Sequence, residues 1–234
     1  MRRFVIGDIH GRYKALVQVL KLCNFNYEDD KLIVLGDIVD GGIDTYKVVE
    51  ELLKIKNLVF IMGNHDEFFL NHLSSGWSEE VWLSQGGVNT VLSYHGIVET
   101  EKTMFNDSHI ITREVNVPVT HQEFFNTAKY YHTEDMMLFV HGGIIPGIPL
   151  YKQQKDVLLW DRELILIAQE HTIPPFEKIF VGHTTTQTYD SDVPIRYHNL
   201  YMLDCGAGWS GRLAIMDIDS DKYWLSDKQT PARK

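Results

Sequence analysis

The chain contains 234 residues, with 22 Lys and Arg against 32 Asp and Glu, so its formal net charge at pH 7 is −10. A composition of 44% hydrophobic and 23% charged residues is typical of a folded globular protein with a sizeable core, which excludes a disordered, collagen-like or coiled-coil chain. The acidic balance argues against broad capture of long nucleic acids or of an anionic membrane, but it still permits a local phosphate site.

Cysteine content and hydropathy predict the compartment. Cys23 and Cys205 are too few for a disulfide framework and suit a reducing environment. Residues 1–6 are basic and then apolar, but Asp8 and His10 interrupt the run before a signal peptide could develop. Since no stretch approaches the roughly 20 apolar residues that cross a bilayer, we expect a cytoplasmic protein.

The first third of the chain repeats one rhythm. Apolar runs at 4–6, 32–35 and 58–62 each end in a glycine followed by a side chain that can bind metal, and amphipathic helical patterns separate the runs. This spacing indicates successive strand–helix–strand units, which make neighbouring strands parallel. In such sheets, ligand sites lie beyond the carboxyl ends of the strands.

Residues 74–135 have a different pattern. Helices are predicted at 78–84 and near 120–131, and the segment holds 3 Lys and Arg against 9 Asp and Glu. We interpret it as a lid or cap inserted into a single domain that spans 1–234. The alternative is a solvated helical subdomain that only shields the sheet.

The strand rhythm returns later in the chain. Apolar runs at 136–140 and 179–181 end in His141-Gly142-Gly143 and Gly182-His183-Thr184. Short β-like stretches at 200–203, 212–217 and 222–225 predict a second sheet late in the chain.

The strand ends together supply six candidate metal ligands: Asp8, His10, Asp37, Asn64, His141 and His183. One divalent ion takes roughly four to six ligands, so six side chains with solvent can hold two ions. Asp37 is the natural bridge because each oxygen of a carboxylate can face a different ion. A pair of ions suits displacement at phosphorus, and mixed nitrogen and oxygen ligands favour manganese, iron or zinc.

The blocks Gly7–Gly11, Gly36–Gly42, Gly63–Asp66, His141–Gly143 and Gly182–Thr184 closely resemble those of the calcineurin-like metallophosphoesterases, specifically the phosphoprotein phosphatase branch with its small bacterial and phage-type members. The resemblance implies a four-layer α-β-β-α sandwich of the α/β class and a dimetal centre. Asp8, His10 and Asp37 would hold one ion, and Asp37, Asn64, His141 and His183 the other. It also implies that His65 is the catalytic histidine that protonates the leaving alcohol and that Asp40 orients it.

The sequence departs from the family pattern at one position. The family usually has Arg-Gly after Asp40, and that arginine grips the phosphate, whereas this chain has Gly41-Gly42. Arg162 matches another phosphate-contacting arginine of the family. Arg12 is a possible substitute, although a solvated residue opening the first helix is an equal alternative, and Asn64 is assigned to the substrate as well as to metal.

Four functions remain to be weighed. The first is a metal-dependent phosphatase for phosphate monoesters, of the phosphoserine and phosphothreonine type, in which a hydroxide held by both metals attacks phosphorus directly. The second is a hydrolase of dinucleoside polyphosphates such as diadenosine tetraphosphate, which the missing arginine and the acidic lid favour. A nuclease is disfavoured because the sequence lacks a basic stripe. A non-catalytic scaffold is disfavoured because every ligand and the catalytic histidine are retained.

Overall fold

Ten strands form the framework of the protein in a computed structural model that describes residues 1–76, 80–96 and 115–230. In chain order the strands are Arg3–Ile6 (β1), Lys31–Val34 (β2), Asn57–Phe60 (β3), Tyr131–Glu134 (β4), Met137–Val140 (β5), Lys178–Val181 (β6), Ile195–Tyr197 (β7), Leu200–Met202 (β8), Ala214–Asp217 (β9) and Tyr223–Leu225 (β10). They form two five-stranded sheets, ordered β10-β9-β1-β2-β3 and β4-β5-β6-β8-β7.

Helices flank both sheets. They are Tyr13–Leu22 (α1), Thr45–Leu52 (α2), Asn64–Ser75 (α3), Glu80–Trp82 (α4), Val88–Tyr94 (α5), Val119–Asn126 (α6), Lys155–Trp160 (α7) and Glu163–Glu170 (α8), with a π-helical turn at Leu83–Gly87 and 3₁₀ turns at Leu150–Lys152 and Thr186–Tyr189. Helix α1 shows why these segments dock: Leu16, Val19 and Leu20 recur at helical spacing and are all buried.

Three apolar clusters define four layers. One fills the space between the first sheet and α1, α2, α3, α5 and α6, and a second lies between the other sheet and helices α7 and α8. The third lies between the two sheets: it contains Val5 and Ile33 of the first sheet and Phe139 and Phe180 of the second. The rings of the two phenylalanines, on neighbouring strands, stack with centroids 5.0 Å apart. This α-β-β-α arrangement confirms the predicted fold class.

The parallel core was predicted correctly. Strand β2 pairs in parallel with both β1 and β3, and β6 pairs in parallel with both β5 and β8. The carboxyl ends of these strands therefore carry the predicted ligands to one edge of the two sheets.

The late strands differ from the prediction. Of the three late stretches that the sequence predicts, 200–203 forms β8 in the second sheet, where the unpredicted β7 pairs with it. Strand β9 instead returns to the first sheet antiparallel to β1, and β10 pairs with β9. The helix predicted near 120–131 ends at Asn126, and β4 begins at Tyr131.

The described part of the predicted 74–135 insertion is helical before 97 and forms α6 after 114, but its last residues, 131–134, form β4 at the edge of the second sheet. The helix predicted at 78–84 begins outside the described residues, and from Glu80 onward it continues through the π-helical turn into α5. Among the described helices, none is both long and apolar enough to cross a membrane.

Candidate metal centre and active site

The six predicted metal ligands lie at the carboxyl ends of five parallel strands. Asp8 and His10 follow β1, Asp37 follows β2, and His141 and His183 follow β5 and β6, while Asn64 is the first residue of α3, shortly after β3. Both sheets thus contribute to one site.

Two groups of side chains could each hold a metal ion, and both include Asp37. The first contains His10, Asp37 and His65, and the second contains Asp37, His141 and His183, with ligand atoms in each group within 4.8 Å of one another. Asp37, which the sequence predicts as the bridge, is the residue common to both groups. The first group brings in His65 beside His10.

Acceptor atoms converge at the second group. Nε2 of His141 lies 3.0 Å from Oδ1 of Asn64 and 3.2 Å from Oδ2 of Asp37, and Nδ1 of His183 lies 2.9 Å from the same Asn64 oxygen. Nδ1 of His141 donates to the Leu35 carbonyl at 2.7 Å, so Nε2 is the ring nitrogen that faces Asn64 and Asp37. Ligand atoms that converge in this way in a buried site are what a bound cation requires.

The first group is arranged in the same way. Nδ1 of His10 lies 3.0 Å from the Val39 carbonyl, so Nε2 is directed toward Asp37, whose Oδ2 is 3.9 Å away. Asp8 accepts a hydrogen bond from the His183 backbone N–H at 3.0 Å, while its buried Oδ1 has no hydrogen-bond partner among the described residues. A buried carboxylate oxygen without a partner is costly, so this donor set fits divalent cations.

Burial and charge set the protonation of the ligands. Burial lowers the pKa of His10 to about 4 and that of His183 to about 3, so both rings are neutral at pH 7. Burial also acts to lower the pKa of His141, but the charge of Asp37 outweighs it and raises this pKa to about 10. Burial, followed by the charge of Asp204, raises the pKa of Asp8.

His65 and Asp40 form a buried pair beside the ligands. Nδ1 of His65 donates to Oδ2 of Asp40 at 2.6 Å, and the rings of His65 and His10 lie 5.0 Å apart. Burial acts to lower the pKa of His65, but Asp37 and Asp40 outweigh it and raise this pKa to about 9. The ring is therefore protonated at neutral pH and can act as an acid.

The insertion holds Asp40 in place through contacts that the sequence did not reveal. Nε1 of Trp82 donates to Oδ2 of Asp40 at 2.9 Å, and the hydroxyl of Thr90 donates to Oδ1 at 2.7 Å. The Asn89 amide also donates to the carbonyl of Gly41 at 2.5 Å. The predicted lid segment thus buttresses the site from below as well as flanking it.

Asp66 supports the site from the first turn of α3. Its carboxylate accepts backbone hydrogen bonds from Asp37 at 2.7 Å, Ile38 at 3.0 Å and Gly63 at 3.0 Å. The sequence carried a signal for this role, because an acid three residues after the N-cap residue can accept the backbone N–H of that residue, here Gly63.

Several site residues adopt a strained backbone. The φ angles are +48° at His10, +48° at Asp37, +67° at Asp40 and +61° at His183, all in the left-handed region that favours glycine. These turns direct the side chains from the strand ends into the site.

An open cavity of about 340 Å³ lies above the ligands. Its lining includes Arg162 and Asn64, both predicted to contact substrate, and also Gln85, Asp204, Trp160 and Trp209. Arg12 is placed differently: its guanidinium donates to the carbonyls of Ala207 at 3.1 Å and Gly208 at 3.0 Å, and the residue is not part of the cavity lining in the described ranges.

The remaining tryptophan and histidine candidates for the site differ in whether they reach the cavity. Trp82 is buried, Trp209 lines the cavity, and Trp77 lies outside the described residues. His198, the rival of His183, has its ring near the Thr172 hydroxyl, outside both ligand groups and the cavity lining of the described chain.

Comparison with known proteins agrees with this geometry. The sequence profile of the calcineurin-like phosphoesterases matches residues 1–187, and the chain belongs to this family. It is accordingly a hydrolase that acts on phosphoric ester bonds, and members of this family use a dinuclear metal centre.

Relatives with two different names match the chain. Serine/threonine-protein phosphatase 1 of Salmonella typhimurium is 26% identical over 224 residues, which cover 92% of this chain and 91% of that protein. The symmetrical bis(5'-nucleosyl)-tetraphosphatase of Nitrosomonas europaea is 25% identical over 167 residues. The aligned region covers 71% of this chain but only 53% of that protein.

Solved structures share the fold at lower identity. A cold-active protein-tyrosine phosphatase of a Shewanella species has a TM-score of 0.60 at 14% identity, covering 97% of this chain and 80% of that one. A metallophosphoesterase from Sphaerobacter thermophilus has a TM-score of 0.55 at 17% identity, and the match covers 98% of this chain and 89% of that one.

Proposed function

We propose that this protein is a metal-dependent phosphatase that hydrolyses phosphate monoesters, of the serine/threonine protein phosphatase type. The carrying observation is the pair of ligand groups that share Asp37, with the hydrogen-bonded His65–Asp40 pair beside them and His65 in the lining of an open cavity. The full-length match to serine/threonine-protein phosphatase 1 supports the same choice.

Asp8, His10, Asp37, Asn64, His141 and His183 would hold two divalent cations, for which we propose manganese, with iron or zinc as alternatives. Three imidazoles, two carboxylates and an amide form the mixed nitrogen and oxygen set that these metals share. When bound, the cations would acidify the attacking water and neutralise charge on the phosphoryl oxygens.

The chain's own residues then position the ester and move one proton. His65 carries that proton on Nε2, because its Nδ1 is engaged with Asp40, and delivers it to the departing ester oxygen. Arg162 and Asn64, both in the cavity lining, would bind the phosphoryl oxygens. The Asp37 carboxylate accepts the His65 backbone N–H at 2.9 Å, which ties the acid to the metal ligands.

A second candidate is hydrolysis of dinucleoside tetraphosphates. It is favoured by the glycine at position 41, where the family's phosphate-binding arginine would stand, and by the similarity to the tetraphosphatase. A scaffold without activity is the least supported alternative, because the ligands and His65 are all present in the site.

We further propose that 74–135 is a lid within a single domain and that the protein works in the cytoplasm on phosphoproteins or small phosphate esters. The two cysteines of the chain, Cys23 and Cys205, are buried and unpaired, which suits a reducing compartment. The net charge of −10 disfavours long nucleic acids and anionic membranes as partners.

The test is turnover of phosphoserine and phosphothreonine peptides, with diadenosine tetraphosphate compared in parallel, by manganese-loaded protein. We expect His65→Asn to lower kcat by about 10²-fold or more, because the leaving oxygen loses its proton donor, and Asp37→Asn to lower the bound metal as well. His198→Asn is the matched control, since that histidine lies away from the cavity. Full activity after chelation would contradict the proposal.

A further inference from the structure

Two tryptophans at the cavity remain without a role in the chemistry described above. Trp160 is 38% exposed and Trp209 is 46% exposed, and both line the cavity. The Trp160 ring lies 5.5 Å from the ring of His183, and the Trp209 ring lies 6.3 Å from that of His10. Each indole therefore flanks a different group of metal ligands.

Trp209 is held out to solvent by a fixed loop. Residues 204–208 are buried, and the backbone of this loop is closed by hydrogen bonds from Gly211 to Gly206 at 2.8 Å and from Arg212 to Cys205 at 2.9 Å. Arg12 adds its two hydrogen bonds to the carbonyls of Ala207 and Gly208. A large apolar side chain exposed on such a pre-organised loop is typical of a binding surface.

Trp160 is fixed in a similar way at the end of α7. Its ring packs edge-on against Phe68 with centroids 5.7 Å apart, in addition to its contact with His183. Tyr189 and the hydroxyl-bearing residues Thr185 and Thr188 also line the cavity. The lining therefore offers aromatic rings and hydroxyl groups as well as the metal ligands.

We propose that Trp160 and Trp209 form an aromatic subsite that binds a planar ring attached to the phosphate of the substrate. The ring is the aryl group of an aryl ester or the base of a nucleotide, since both present the same π-face to an indole. This inference rests on the proposed function, the hydrolysis of phosphate monoesters, and adds ring-bearing esters as a substrate class beside the phosphoserine and phosphothreonine peptides. Stacking is tolerant of ring identity, so the subsite selects a chemical class.

The test uses ligand pairs that differ only in the ring and that need no turnover. Adenosine 5'-monophosphate is compared with ribose 5-phosphate, and phenylphosphonate with propylphosphonate, by titration calorimetry on manganese-loaded protein. We expect the ring-bearing member to bind about 5- to 100-fold more tightly. The nucleotide pair tests a base and the aryl pair tests an aryl group as the ring that the subsite binds. Tighter binding of the ring-bearing member in either pair supports the subsite.

Substitutions assign that preference to the two indoles. Trp160→Leu and Trp209→Leu should each lower the ratio of affinities toward one, whereas Trp209→Phe should retain most of it because a stacking face remains. Trp224→Leu is the matched control, since Trp224 lies on β10 against Phe4. Circular dichroism and metal content verify that each variant is folded and loaded.

Two results would overturn the subsite: equal affinities within both ligand pairs for the unaltered protein, or ratios that survive in both Leu variants. Failure of the proposed function would look different, because ring-selective binding would then occur without hydrolysis of any phosphate ester.

Discussion

Asp40 has the most crowded environment of the site residues. It is fully buried, accepts hydrogen bonds from Trp82 and Thr90, and faces Nδ1 of His65 at 2.6 Å. We predict that Asp40→Asn lowers kcat by about 10- to 100-fold while the metal content stays unchanged, because the amide orients the imidazole poorly and removes the charge that keeps it protonated. Steady-state kinetics with metal analysis measures both, and the exposed Asp156→Asn is the matched control. A parallel loss of metal would show that Asp40 acts on the ligands instead.

Gly41 stands where the family usually has its phosphate-binding arginine, in a backbone conformation that favours glycine. Its φ is +62°, and a Cβ there would lie 3.0 Å from both the Gly208 carbonyl oxygen and Cβ of His10. We predict that Gly41→Arg lowers the free energy of unfolding by about 2 kcal/mol or more and does not tighten inhibition by inorganic phosphate.

Gly147 is the matched control for this substitution, because its φ is +83° and a Cβ there would meet nothing within 4 Å. Gly147→Arg should therefore lower the free energy of unfolding, measured by urea denaturation, by only about 1 kcal/mol, the cost of a left-handed backbone at a residue with a side chain. If both substitutions lower the free energy of unfolding equally, Gly208 and His10 can move aside without cost, which would contradict the predicted clash at Gly41. Tighter phosphate inhibition in Gly41→Arg would show that the arginine site is still available.

At the scale of elements, the loop 204–212 depends on Arg12. If its two hydrogen bonds to Ala207 and Gly208 define its role, Arg12→Leu should weaken binding of phenylphosphonate several-fold through the displaced loop, yet leave inhibition by inorganic phosphate within about twofold. If Arg12 instead contacts substrate, as the sequence suggested, inhibition by inorganic phosphate should weaken about tenfold or more. Inhibition constants for both ligands decide between these roles, with the exposed Arg196→Leu as the control.

The elements also show how far the sequence was informative. Each ligand-bearing parallel strand was visible as an apolar run, and its ligand as a polar residue close to a glycine at the end of that run, because both signals are local. The return of β9 to the first sheet was not visible, because a short antiparallel strand carries no mark of its partner. The contacts of Trp82 and Thr90 with Asp40 span 42 and 50 residues, and only the packing of the insertion creates them.

At the scale of the whole molecule, charged residues join the two sheets at the edge opposite the site. Glu134 of β4 accepts hydrogen bonds from Lys31 of β2 and, at 3.4 Å, from Arg3 of β1. Burial acts to raise the pKa of Glu134, but hydrogen bonds from Lys31 and His132 outweigh it and hold this pKa below its ordinary value. The carboxylate therefore stabilises the folded state above the pKa of the unfolded chain, and this contribution is lost as the pH falls through the lower folded pKa.

We predict that Glu134→Gln lowers the free energy of unfolding of the metal-free protein by about 1 kcal/mol at pH 7, and that the difference from the unaltered protein narrows below about pH 4. Urea denaturation at several pH values measures this change. Glu28→Gln should have a smaller effect, because Glu28 and its partner Lys56 are largely exposed. A constant difference across this pH range would contradict the ionic origin of the effect.

The left-handed backbone at His10, Asp37, Asp40 and His183 has a consequence for how this protein can change over time. Glycine would relieve strain at each of these positions, so the substitution that most easily relaxes the backbone is also one that removes a functional side chain. Stability therefore favours glycine and activity favours the present side chain at the same four residues. In related proteins that no longer need catalysis, we expect glycine to replace these residues before others change. Glycine at these turns would then be an early sign that a family member has become a scaffold.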